Sequence, residues 1–270
     1  MPTEFFNPFR RFFAEQPNGS MLGTWLMSAA PGPTEAIGHV GFDFLVVDME
    51  HVPLDVSTLP EILRAVAATP AMPLVRIAWN DRVLIKRVLD AGAETIMVPF
   101  VQTAEEAQEA VAAAKYAPMG VRGVAAVHRA SRFGAVGDYL KRANDETYVI
   151  VQLETPEAVG RLKEIAAVPG IDGLFVGPND LAASMGLIGQ VGHDDVQALL
   201  SKAAAEAREV GKPIGIVGPN PAMVRRFMDY GYNFCAVASD IGMMTGRARD
   251  WLGELRGVQP SETDQNRPAY

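Results

Sequence analysis

The stretch "FDFLVVDMEHVPLD" (42–55), followed by "STLPEILRAVAAT" (57–69), sets the pattern that decides the fold. The first segment contains a continuous run of β-branched and aromatic residues of strand length, and the second has the apolar spacing of a helix. A strand without polar alternation is buried on both faces, as parallel strands covered by helices are. The pair therefore predicts one β/α unit.

The same alternation of strand and helix recurs along the whole chain. Several of the helix patterns open on Asp, Thr or Asn and close on Gly, as helix ends do. The strand candidates span 21–27, 42–50, 72–79, 95–101, 148–154, 171–177, 213–218 and 234–240.

Eight such units in about 250 residues are the number and size of a closed (β/α)₈ TIM barrel of the α/β class. An open doubly wound sheet fits the same alternation, but the G-x-G-x-x-G turn after the first strand is missing. We therefore predict a single barrel domain over residues 1–255 and a flexible tail over 256–270.

The N-terminal segment "MPTEFFNPFRRFF" (1–13) predicts one additional helix. Asn7 and Pro8 suit the N-cap and N1 positions. The phenylalanines that recur on one face of this helix are Phe5, Phe9, Phe12 and Phe13. We expect the aromatic face to pack on the protein itself or on a partner subunit; the alternative, an interfacial membrane anchor, calls for more cationic residues.

Composition excludes several classes of protein. A net charge of −8 and a pI near 5.1 argue against nucleic-acid binding, which needs a basic patch. The single cysteine, Cys235, forms no internal disulfide and fits a reducing compartment. Since no apolar run approaches the roughly 18 residues of a membrane span and no signal pattern is present, we expect a cytoplasmic protein without membrane contacts.

Polar residues end the predicted strands, and in a TIM barrel these ends form the catalytic face. Glu154 and Asp180 follow neighbouring strands, so that their carboxylates could share a hard cation such as Mg²⁺ or Mn²⁺. The alternative is that each carboxylate caps the next helix. The polar residues at the strand ends are Asp48, Glu50, His51, Arg76, Asn80, Asp81, Gln152, Glu154, Asn179 and Asp180.

Three further features leave alternatives open. Arg76, inside a core strand, either meets a carboxylate of the fold or faces an anionic ligand, because a buried arginine is almost never unpaired. His51 is either a catalytic or a structural histidine, and Asp90 is either functional or a solvated helix-end acid. The segment 118–147, which contains His128 and five Arg or Lys residues, is long enough to be a lid or a contact loop.

Six sequence blocks together resemble the HpcH/HpaI aldolase family of metal-dependent class II pyruvate aldolases, which act on 2-oxo acids. The resemblance runs from about residue 20 to residue 250, with the motifs in the order of the family. The blocks are "DMEH" (48–51), "LVRIAWND" (74–81), "VLDAGAETIMVPFVQ" (88–102), "GVRG" (120–123), "VQLET" (151–155) and "FVGPNDLAASMG" (175–186).

The resemblance implies a role for each of these residues. Glu154 and Asp180 would hold a divalent metal, most simply Mg²⁺ or Mn²⁺, with Co²⁺ or Zn²⁺ as alternatives. Arg76 would face the ketone oxygen, and His51, paired with Asp90, would transfer the proton. The further contacts to the substrate would come from Gln152 and from the backbone amides of Asn179 and Asp180.

The function that the resemblance implies is reversible aldol addition and cleavage between an aldehyde and pyruvate or hydroxypyruvate, through a metal-stabilised enolate, which would make the chain a carbon–carbon lyase. One alternative is a citramalyl-type acyl-CoA ester lyase, whose coenzyme would need the arginines of 122–142. The other is a noncatalytic protein that binds 2-oxo acids. The resemblance also implies a homohexamer, with the N-terminal aromatic face and the segment 241–255 as candidate contacts.

Overall fold

The computed structural model describes residues 6–257 and contains a closed barrel of eight parallel strands that pair in chain order. The predicted α/β class and TIM barrel are therefore confirmed. The strands are β1 (Met21–Leu26), β2 (Phe44–Asp48), β3 (Met72–Arg76), β4 (Thr95–Val98), β5 (Tyr148–Leu153), β6 (Gly173–Val176), β7 (Ile214–Gly218) and β8 (Phe234–Ser239).

Twelve helices lie in the same described range, most of them on the outside of the barrel. They are α1 (Pro8–Glu15), α2 (Pro31–Gly38), α3 (Leu59–Ala67), α4 (Arg82–Asp90), α5 (Ala104–Ala114), α6 (Tyr139–Glu146), α7 (Pro156–Gly160), α8 (Leu162–Ala166), α9 (Pro178–Ser184), α10 (Asp194–Glu209), α11 (Pro221–Tyr230) and α12 (Asp240–Arg256).

Burial on both faces explains the composition of the strands. Every residue of β2 is buried, and its Phe-Leu-Val-Val run contacts the barrel interior and the helix layer in turn. The strand ends at Asp48, two residues before the end that the sequence pattern predicts at Glu50. The polar residues that follow therefore lie in a loop at the rim.

The segment 118–147, whose length suggests a loop, contains the short helix α6. Its sequence "YLKRANDE" is mostly polar, and two residues four positions apart, Tyr139 and Ala143, are buried. One turn of apolar spacing is too little to distinguish a helix from a loop by periodicity.

Helix α1 closes one end of the barrel. Asn7 caps it by accepting a hydrogen bond from the Arg10 amide, and Phe9 is fully buried against the rings of Phe44 and Phe234, with centroid distances of 5.7 and 6.2 Å. The predicted N-terminal helix is thus present and packs on its own barrel. Phe5 and residues 258–270 of the predicted tail lie outside the described residues. Within 6–257 no helix has both the length and the apolarity needed to cross a bilayer.

Chain direction assigns each segment to one of two faces. The strands end at the C-terminal face, and the helices run back toward the N-terminal face, where the next strand begins. Asp90 ends α4, so it lies at the N-terminal face. The connection 115–138 between α5 and α6 starts at that same face, and α6 leads directly into the first residue of β5.

Candidate active site

Arg76, the last residue of β3, is fixed by two carboxylates. Asp48 accepts hydrogen bonds from Nε and Nη2 of Arg76, both at 2.8 Å, and neither side chain is exposed. Oε2 of Glu50 lies 2.9 Å from Nη1 of Arg76. The guanidinium also lies over the ring of Trp25, 4.8 Å from its centroid. Such a bidentate pair sets both the position and the orientation of the guanidinium.

Strand register produces this arrangement. Asp48 and Arg76 are direct neighbours in the parallel ladder between β2 and β3. Of the two alternatives that the sequence left open for Arg76, the structure therefore shows the one in which it meets carboxylates of the fold. Glu50, whose side chain is 16% exposed, lies between Arg76 and the other acids of this face. Burial raises the pKa of Glu50, and the nearby Arg76 and His51 oppose this rise.

Glu154 follows β5 and is 3% exposed. Its Oε1 accepts a hydrogen bond from Nε2 of Gln152 at 2.7 Å, and its Oε2 accepts one from the Phe100 amide, also at 2.7 Å. Phe100 presents that amide from a left-handed conformation, with φ at 53°. This conformation is uncommon for a residue other than glycine, and it is often kept at functional sites.

Burial raises the pKa of Glu154 to about 8, and the carboxylates of Asp180 and Glu50 add to this rise. The structure thus places Glu154 and Asp180 side by side. Gly177 makes room for Glu154, since a Cβ at this position would lie 2.7 Å from Oε1 of Glu154. Negative charge that is buried and incompletely compensated favours a cation.

The donor set fits a catalytic divalent ion. Among residues 6–257 no group of three or more His, Cys, Asp and Glu side chains is arranged to hold a metal, so a divalent ion here would be held by a smaller set such as the pair Glu154 and Asp180. Mg²⁺ is commonly bound through one or two carboxylates, with water and substrate oxygens at its other positions. The buried Oε1 of Gln152, which has no hydrogen-bond partner among residues 6–257, is a further polar atom beside Glu154.

His51 and Asp90 are not brought together within one chain. The side chain of His51 is 58% exposed at the C-terminal face, and its Nε2 is 4.0 Å from Oε2 of Glu50. Asp90 lies at the N-terminal face, where its Oδ1 is 2.7 Å from Nη2 of Arg122 and 3.8 Å from Nε2 of His128. One chain by itself therefore does not bring His51 and Asp90 together, because α4 carries Asp90 away from the rim.

The segment that contains His128 packs against Asp90 rather than over the barrel mouth. The ring of His128 meets that of Tyr139 edge to face at 5.2 Å, and burial lowers the pKa of the imidazole. The arginines of 122–142 follow α5 and precede β5, so they lie at the N-terminal face of the barrel. Within one subunit they therefore do not form a coenzyme site beside Glu154 and Asp180.

Asn179 and Asp180 occupy the first turn of α9, and both are exposed at the C-terminal face. Sequence reasoning placed them correctly at a strand end but missed the part that Asp48, Glu50 and Trp25 play in holding Arg76. The available signal was the spacing of Asp48 and Glu50, because residues two apart in an extended segment point to the same side.

Comparison with known proteins identifies the family. Residues 21–245 match the sequence model of the family that is described as HpcH/HpaI aldolase/citrate lyase. The chain belongs to this family. It is accordingly an enzyme of the aldolase type, a carbon–carbon lyase, as its resemblance implied.

Two curated relatives cover nearly the whole chain. The 2-dehydro-3,6-dideoxy-6-sulfogluconate aldolase of Pseudomonas putida is 52% identical over 241 residues, which are 89% of this chain and 94% of the relative. The 5-keto-4-deoxy-D-glucarate aldolase of Salmonella paratyphi A is 45% identical over 238 residues, or 88% and 92% of the two chains. A crystal structure of a family member from Burkholderia cenocepacia has a TM-score of 0.89 at 38% identity, covering 93% of this chain and 99% of that one.

Proposed function

We propose that this member of the family is a divalent-metal-dependent aldolase that joins and cleaves a pyruvate-type 2-oxo acid, pyruvate or hydroxypyruvate, and an aldehyde. The observation that carries the proposal is the pair formed by Glu154 and Asp180, a buried carboxylate beside a second acid, with Arg76 fixed on a nearby strand end. Mg²⁺ or Mn²⁺ suits the oxygen donors best. Bound there, a divalent ion would supply positive charge where the enolate oxygen develops.

The protein groups would contribute the remaining chemistry. Asp48 holds Nε and Nη2 of Arg76, so Nη1, on the Glu50 side, is the edge that would meet the ketone oxygen. Such a fixed cation stabilises the developing negative charge without reorganisation. Gln152 and the amides of Asn179 and Asp180 would hold the carboxylate of the substrate. His51, exposed at the same rim, would carry the proton.

A role for Asp90 requires a second copy of the chain. Because Asp90 and His51 of one subunit lie at opposite faces, an Asp90 that orients His51 has to come from a neighbour. A homo-oligomer, for which we propose the hexamer, would provide this arrangement. Exposed apolar side chains on α12 support association, with Trp251 at 55% exposure and Leu255 at 84%.

The relatives narrow the class of substrate. Both are named for deoxy sugar acids that carry a keto group, one of them with a terminal sulfonate. We therefore propose that cleavage acts on a 2-keto-3-deoxy sugar acid or a similar hydroxylated 2-oxo acid, and that the aldehyde product is short and polar. A screen of hydroxylated aldehydes against pyruvate and hydroxypyruvate would identify the pair.

The decisive experiment measures deuterium exchange from solvent into the methyl group of pyruvate by proton NMR. We expect exchange with Mg²⁺ or Mn²⁺, its loss after chelation, and its loss in His51→Asn. The matched control is His39→Asn, at an exposed histidine that follows α2. Exchange that survives chelation would refute the metal-dependent mechanism, and binding of pyruvate without exchange would indicate a noncatalytic protein.

Mixing two inactive variants tests the origin of Asp90. If Asp90 acts on the His51 of a neighbour, subunits of His51→Asn and Asp90→Asn that are exchanged within one oligomer should regain part of the activity. In a mixed oligomer the His51 of an Asp90→Asn subunit can meet the Asp90 of a His51→Asn subunit, so that intact pairs form. Failure to regain activity in demonstrably mixed oligomers would contradict the arrangement.

A further inference from the structure

A cavity of about 480 Å³ lies at the N-terminal face, far from the acids around Glu154. It is bounded by the end of α3, the start of β3, the segment that leads into β4, and the loop after α5. Three arginines from different parts of the chain reach it, Arg64 on α3 and Arg129 and Arg132 on the loop. The acid in its lining is Glu94. Cavities of this size accommodate small molecules.

The charge in this cavity is strongly positive for a chain whose net charge is −8. Burial lowers the pKa of Arg129, the like charge of the neighbouring Arg64 lowers it further, and Glu94 opposes this lowering. Burial raises the pKa of Glu94 to about 7 although the nearby Arg132 and Arg129 lower it, and this one carboxyl faces three guanidinium groups in the lining. A bound anion would relieve both the repulsion and the excess charge.

The backbone is shaped to hold these arginines. Gly92 has φ at 102°, and a side chain at this position would collide with the guanidinium of Arg129. Arg132 and Phe133 both have left-handed backbones, with φ at 49° and 55°. Consecutive residues in this conformation cost energy, and such strain is retained where a particular presentation of side chains matters.

Helix capping accounts for only part of the cluster. Arg129 donates a hydrogen bond at 3.1 Å to the carbonyl of Ala91, which follows α4, and Arg64 lies in the last turn of α3. Cations at helix ends are favourable by themselves. Capping does not explain why the arginines converge on one cavity, or why the loop is strained where it presents Arg132.

We propose that this cavity binds a small organic dianion, either a phosphate monoester or a dicarboxylate, through Arg64, Arg129 and Arg132. The planar donor fork of arginine matches both kinds of oxyanion. The exposed ring of Phe133 provides an apolar wall for the rest of the ligand. Within one subunit the cavity lies at the opposite end of the barrel from Glu154 and Asp180.

The ligand would also act on the segment next to Asp90. Ser131, between Arg129 and Arg132, accepts a hydrogen bond from the amide of His128 at 3.2 Å, and its own amide donates to Nδ1 of His128, also at 3.2 Å. His128 in turn contacts Asp90. An anion bound to these arginines would therefore order the segment 128–134, which links the cavity to Asp90.

Calorimetric titration of the metal-loaded, full-length protein with inorganic phosphate and with malonate tests the proposal, with chloride at matched ionic strength as the blank. We expect saturable binding of at least one probe, one per chain, which weakens about tenfold or more in Arg64→Ala and in Arg129→Ala. Arg226→Ala, at an exposed arginine of α11, is the matched control and should bind like the wild type.

The pattern of binding decides the outcome. A response to phosphate alone would identify the ligand as a phosphate ester, and a response to malonate alone as a dicarboxylate. Absence of saturable binding by both, or binding that Arg64→Ala and Arg129→Ala leave unchanged, would overturn the proposal. Hydrogen exchange gives a second measurement if Arg129→Ala does not fold: the amides of 128–134 should be protected by the bound probe in the wild type and not in Arg64→Ala.

Discussion

Replacing Glu154 by Gln should stabilise the metal-free protein at alkaline pH while abolishing its response to metal. The carboxylate is buried beside Asp180, and its pKa is raised from 4.5 to about 8. A folded chain whose carboxyl has a raised pKa holds its proton more tightly than the unfolded chain does. The protonated Glu154 therefore adds to the free energy of unfolding. This contribution is fully present below about pH 4.5 and is lost as the pH rises through about 8.

The size of the effect follows from this shift. One pKa unit corresponds to about 1.4 kcal/mol, so the loss approaches roughly 5 kcal/mol at high pH, and about 3 kcal/mol of it falls between about pH 6 and about pH 9. In Glu154→Gln the new side-chain amide would still meet two donors, Gln152 and the Phe100 amide, with only one oxygen. The lost hydrogen bond costs about 1 kcal/mol at every pH. The difference in the free energy of unfolding between variant and wild type therefore changes with pH only through the charge on Glu154.

Thermal unfolding of both proteins in chelator across this pH range measures the effect. When the pH is raised from about 6 to about 9, the melting temperature of the variant relative to that of the wild type should rise by about 6 to 12 °C. Mg²⁺ should then stabilise the wild type but not Glu154→Gln. Glu157→Gln, at an exposed position on α7, is the control and should follow the wild type. A difference that does not change with pH, or equal stabilisation of both proteins by Mg²⁺, would refute the reasoning.

Three further substitutions have definite expected outcomes. Asp48→Asn removes the buried carboxylate that pairs with Nε and Nη2 of Arg76 and leaves the contact of Glu50 with Nη1, so it should cost about 3–5 kcal/mol in urea unfolding. Phe9→Ala empties a fully buried position at the N-terminal end of the barrel and should cost about 3–5 kcal/mol in the same assay, whereas Phe6→Ala, at an exposed ring, should cost much less. Gly177→Ala places a methyl group against Glu154, so the affinity for Mn²⁺, measured by titration, should fall while the circular dichroism spectrum stays that of the wild type.

The strands and the main candidate acids could be predicted because their signals are local. Runs of β-branched residues mark buried parallel strands, and the residues that follow a strand lie at the C-terminal face whatever the details of packing. Sequence could not reveal how Phe100 turns its amide toward Glu154, because a left-handed backbone in a residue other than glycine is imposed by its surroundings. The arginine cavity was equally hidden, since its side chains come from segments that only the tertiary fold brings together.

The position of Asp90 follows from a rule that sequence alone supplies. In a barrel of parallel strands each helix runs opposite to its strand, so a residue that ends a helix and a residue that ends a strand lie at different faces. The nine residues of α4 make this helix about 13 Å long, and the short side chain of Asp90 cannot reach across that distance. If Asp90 and His51 work together, the N-terminal face of one subunit must therefore meet the mouth of another. The connection 115–138, which places Arg122 and His128 around Asp90, would then belong to that interface.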